Sequence, residues 1–62
     1  MSEPLDTSLA AQIACLKREI KLREIMYPKW VASGKLKTET ATHELAAMTA
    51  ALHTIMKLME PL

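Results

Sequence analysis

The stretch Ala41-Thr-His-Glu-Leu45-Ala-Ala-Met48-Thr-Ala-Ala-Leu52-His-Thr-Ile55-Met-Lys-Leu-Met59-Glu-Pro-Leu62 decides the fold. Ala41, Leu45, Met48, Leu52, Ile55, Met59 and Leu62 recur at alternating steps of four and three. That spacing is a heptad seam down one side of a helix. Ala47, Ala51 and Leu58 widen the seam on one flank. Ala46 and Ala50 are small enough to let another helix come close. Thr42, Thr49, His53, Lys57 and Glu60 mark the wet side, and Pro61 stops the helix. Thr38 is placed to cap the start, with Glu39 in the favourable first turn. The expected span is about 38–60.

Working back towards the N-terminus, Gly34 sits where a left-handed helix end is wanted, and Leu36 can tuck under the turn. Before it, Leu9, Ile13, Leu16, Ile20 and Tyr27 form a second periodic stripe, with Arg23 in the one polar slot. Asp6, Thr7 and Ser8 are helix starters just ahead of that stripe. A first helix over about 6–27 follows. Pro28 removes a backbone donor and biases Tyr27 away from helical geometry, so the helix either ends near Met26 or kinks into a short helix over 28–33. Residues 1–5 precede the pattern and are expected to be flexible.

A connection this short makes the two helices antiparallel, an all-α helical hairpin in one domain over residues 1–62. Helix 1 also carries a second set roughly opposite the first: Ala11, Cys15, Leu22 and Met26. This set is either scattered exposed hydrophobics or an oligomer seam. A chain of 62 residues that is 50% hydrophobic, with one Cys and hence no internal disulfide, has little core to spare. Pairing two hairpins into a four-helix bundle would close the open seams. The expectation is a homodimer of coiled-coil character, with Leu45, Met48, Leu52, Ile55 and Met59 as the oligomer seam.

Composition narrows the function classes. The net charge of +1 is too small for a protein holding nucleic acid through phosphates. No signal-peptide pattern or membrane-length apolar run is present, and a lone Cys suits a reducing compartment. A cytoplasmic location is therefore expected, with no membrane partner. His43 and His53 are ten residues apart, about 15 Å along a helix, with no further ligand at metal-site spacing. They read as surface histidines. One Gly rules out a glycine-rich phosphate loop, and Cys15 has no paired base. With no catalytic set, metal set or cofactor motif, the chain reads as non-enzymatic.

Two features stand out as candidate binding residues. Arg23 interrupts an apolar stripe, where its guanidinium needs a partner: Glu19 one turn back, Glu44 across the hairpin, or an anion on a ligand. Tyr27-Pro28-Lys29-Trp30 gathers both aromatics of the chain around the helix breaker. It forms either a small end core or a binding edge of Tyr27, Lys29 and Trp30 beside Arg23.

Glu19, Arg23, Tyr27, Pro28, Trp30, Val31, Gly34, Leu36, Ala41, Glu44, Leu45 and Met48 together trace the pattern E-x3-R-x3-Y-P-x-W-V-x2-G-x-L-x4-A-x2-E-L-x2-M. In this the chain resembles a family of short phage and prophage proteins of proteobacteria, over about half its length. The resemblance implies context: small phage proteins of this kind act by binding. The leading expectation is a stoichiometric inhibitor or modulator of a host or anti-phage defence protein. The alternatives are an oligomeric sponge for a nucleotide ligand, through Arg23, Lys29, Tyr27 and Trp30, and a structural or assembly component of a phage.

Overall fold

The computed structural model describes residues 5–60. Two helices, α1 over Leu9–Ala32 and α2 over Thr38–Leu58, pack antiparallel as an all-α hairpin. They are about 36 and 32 Å long at 1.5 Å per residue. Among the described residues there is no strand.

The start of α1 is set by polar side chains. Ser8 is the N-cap, and its hydroxyl accepts from the Ala11 N–H at 3.1 Å. Asp6 in turn accepts from the Ser8 N–H at 3.0 Å, and the Gln12 amide donates to the Thr7 carbonyl at 2.7 Å. The helix therefore begins at Leu9, three residues later than its expected start at 6. The expected loose segment over 1–5 lies outside the described residues apart from Leu5, which is exposed.

Pro28 neither ends α1 nor starts a separate short helix over 28–33: α1 runs through it to Ala32. The ring costs the helix one hydrogen bond, to the Glu24 carbonyl four residues back. Packing on both sides outweighs that cost. Tyr27 is buried against α2, and Val31, one turn on, is half-buried on the same side.

The helix ends in a Schellman turn. Ser33 is the C-cap and Gly34 follows at φ +78°, the left-handed region. Lys35 N–H donates to the Trp30 carbonyl at 2.9 Å, and Gly34 N–H to the Val31 carbonyl at 3.1 Å. Leu36 then turns back, half-buried, before α2 begins. Here one expectation is corrected. Thr38 is the first helical residue, not the cap; Lys37 holds the cap position and offers no side-chain bond. Its backbone carbonyl still accepts from the Ala41 N–H at 3.0 Å. Glu39 does lie in the first turn and Lys57 in the last.

At its far end α2 stops at Leu58, two residues before the expected limit, with Met59 as C-cap and a tight turn to Glu60. Met59 is 50% exposed and so lies off the helix-helix seam. Pro61 as a stop signal and Leu62 as the last seam position lie outside the described residues.

The stripe on α1 and the seam on α2 face each other, with Tyr27, Ala41 and Leu52 the best buried at 7–9% exposure. No described side chain is fully buried. The radius of gyration is 14.8 Å, whereas a compact chain of this length has about 10.5 Å. Two helices make one layer, and the smallest dimension of the molecule is 13 Å. Both broad sides of that layer face solvent.

Candidate functional site

The chemistry-bearing residues gather at the closed end of the hairpin, near the Schellman turn. Residues on α1 advance about 100° each. Arg23, Tyr27 and Trp30 therefore point within about 60° of one another, towards α2 and one flank. Lys29 lies about 160° round the helix from Tyr27, on the edge away from α2. The structure brings together the first three of the four expected binding residues and leaves Lys29 apart.

Arg23 has a partner within its own helix. Its Nη1 donates to the Glu19 carboxylate, and the same nitrogen lies 3.5 Å from the Glu19 carbonyl. Both side chains keep about a third of their surface exposed. The Glu19 carboxylate, aided by the Tyr27 phenol, raises the guanidinium pKa above its already high value. Of the three possible partners, Glu19 is the one in place, held through Nη1. Glu44 takes no part in an ion pair among the described residues.

Tyr27 and Trp30 touch, with ring centroids 5.6 Å apart and planes tilted by 41°. Such a pair adds about 0.5–1.5 kcal/mol beyond the area it covers. Tyr27 is the anchor, buried between the helices, while Trp30 remains 38% exposed. The corner is thus an end core on its inner side and an open aromatic edge on its outer side.

Beside Tyr27 the helices leave an open groove of about 550 Å³. Its walls are Tyr27, Pro28, Val31 and Ala32 from α1 and Thr38, Ala41, Thr42 and Leu45 from α2, with Glu24 at the rim. The lining is mostly apolar. Pro28 contributes a carbon ring, and the Glu24 carbonyl beside it has lost its usual donor from position 28. Thr38 and Thr42 add two hydroxyls. Lys17 and Lys21 lie on the same broad side of α1 as the groove. The shape suits an apolar protrusion, with Glu24 the one charged side chain of the lining.

Sequence reading found the aromatic corner but missed the groove. Glu24 and Thr42 carry no signal of their own, because the cavity exists only once α1 and α2 are apposed. Pro28 was the one available clue.

Among the described residues no three His, Cys, Asp or Glu converge on a metal-sized space. No described helix is long and apolar enough to cross a membrane. No family model, curated protein or solved structure matches this chain.

Proposed function

We propose that this chain is a non-enzymatic binding protein of phage type, acting as a homo-oligomer on a host or defence protein in the cytoplasm. The observation that carries the reading is the apolar groove of about 550 Å³ at the closed end, with Glu24 as the one charged residue of its lining. An apolar helix or loop is the complementary partner, bound one to one per groove. The phage context is proposed from the sequence resemblance alone, and inhibition or modulation is what occupying such a surface would achieve.

The nucleotide-sponge alternative needs Arg23, Lys29, Tyr27 and Trp30 together around one ligand, and Lys29 lies about 160° round α1 from Tyr27. That observation favours the protein partner. The test is retention of host proteins on the immobilised chain, alongside a Thr42→Arg variant that fills the groove from an exposed position. A protein retained stoichiometrically by the original and lost by Thr42→Arg supports the reading. Retention of nothing, or equal retention by both, overturns it. A rise in melting temperature with millimolar nucleotide would favour the sponge instead.

A further inference from the structure

The two second stripes, one on each helix, fall on the same broad side of the layer. The groove marks the opposite side, since Pro28 of α1 and Thr42 of α2 both line it. Leu22, Met26 and Trp30 lie some 120–160° round α1 from Pro28. Ala47, Ala51 and Leu58 lie about 140–180° round α2 from Thr42. Both sets therefore look away from the groove and form one continuous face. Leu22 is 51% and Leu58 67% exposed there. Towards the open end the same face continues into a smaller groove of about 390 Å³ where Cys15 and Leu16 meet Ile55.

We infer that this face is covered by a second copy of the chain, related by a two-fold axis parallel to the helices. The assignment rests on the oligomeric part of the proposed function and is independent of the target. Three observations carry it.

Area is the first. A folded monomer of 6.9 kDa exposes about 4,000 Å², whereas this chain exposes 5266 Å². The excess of about 1,300 Å² exceeds the roughly 800 Å² that each partner buries in a standard stable interface. The second is shape. The stated axis lays α1 of one copy on α2 of the other at the same height. Cys15 is level with Ile55, so Leu22 of one copy meets Ala47 of the other, and Leu58 lies level with Ala11. The third is charge. Arg23 and Glu19 pair with each other at this face, and Glu44, about 200° round α2 from Thr42, lies on it within one turn of the level of the second copy's Arg23. Lys17, Lys21 and His53 lie on the groove side. All neighbouring helices in the resulting bundle are antiparallel.

The experiment is sedimentation equilibrium on three proteins: the original chain, Ala51→Glu, and Ala14→Glu. Both alanines are exposed in the single hairpin, and Ala14 lies away from the proposed face. The original and Ala14→Glu should sediment at twice 6.9 kDa, and Ala51→Glu at the mass of one chain. Trp30, the only tryptophan, gives a second readout that needs no variant. Its emission should shift to the blue as the original chain associates.

An original chain that stays folded and monomeric overturns this inference and the oligomeric reading together. A dimer that Ala51→Glu leaves intact overturns the face assignment alone. So does a mass above the dimer, or association without any change in Trp30 emission.

Discussion

Ser8, Asp6 and Gly34 show how much of this hairpin is decided by single residues at helix ends. Removing the Ser8 hydroxyl leaves the Ala11 N–H without its partner. Ser8→Ala should cost about 1 kcal/mol in urea unfolding. Lys37 offers the converse opportunity: its side chain caps nothing, so Lys37→Asp should stabilise the start of α2 by about 1 kcal/mol. Asp6 links the first cap to pH. Its bonds to Ser8, the backbone N–H first, hold the carboxyl pKa below that of an ordinary aspartate. A depressed carboxylate stabilises the fold above its unfolded pKa and loses that contribution as the pH falls through its folded pKa. Helicity followed by circular dichroism should therefore fall below about pH 4, and Asp6→Asn should flatten that part of the profile. Arg23 matters less than its position in the stripe suggests. Its pair with Glu19 keeps about a third of its surface exposed, and exposed pairs of this spacing contribute about 0.3–0.5 kcal/mol.

At the scale of the helices, periodicity carried most of the information. Leu9, Ile13, Leu16, Ile20 and Tyr27 all turn towards α2, as do Ala41, Leu45, Met48, Leu52 and Ile55. A stripe is legible because each residue on it makes the same statement about direction. The ends of helices depend instead on single local bonds, which explains why Lys37 rather than Thr38 holds the cap. Pro28 was misleading for a related reason. Its local penalty is real, yet Tyr27 before it and Val31 after it are both held against α2, and breaking the helix would free both. Pro28→Ala should restore the missing hydrogen bond and raise the unfolding free energy by up to about 3 kcal/mol, read as a higher denaturation midpoint. The same change removes a wall of the groove, so any partner bound there should bind more weakly. The groove itself was illegible for lack of any pattern: it belongs to two helices at once, and neither encodes it alone.

For the whole molecule, the decisive fact is that its best buried residues still show some surface. Leu52→Ala should cost about 2–3 kcal/mol, near the lower end for a core leucine, because the site was never sealed. If a second copy supplies the missing layer, the melting temperature should rise with protein concentration, since association draws on the folded state alone. Division of labour between the two broad sides then follows, with self-association on one and the groove left open on the other. The turn that joins the helices has a further consequence. Gly34 at φ +78° is the point where the chain declines to continue as a helix. With a residue that favours helix there, α1 and α2 could run on as one rod of about 75 Å over residues 9–58. Two such rods would find the same contacts by exchanging halves, each α2 lying on the other chain's α1. One left-handed residue thus separates a hairpin that keeps its own halves together from a domain-swapped pair of identical composition.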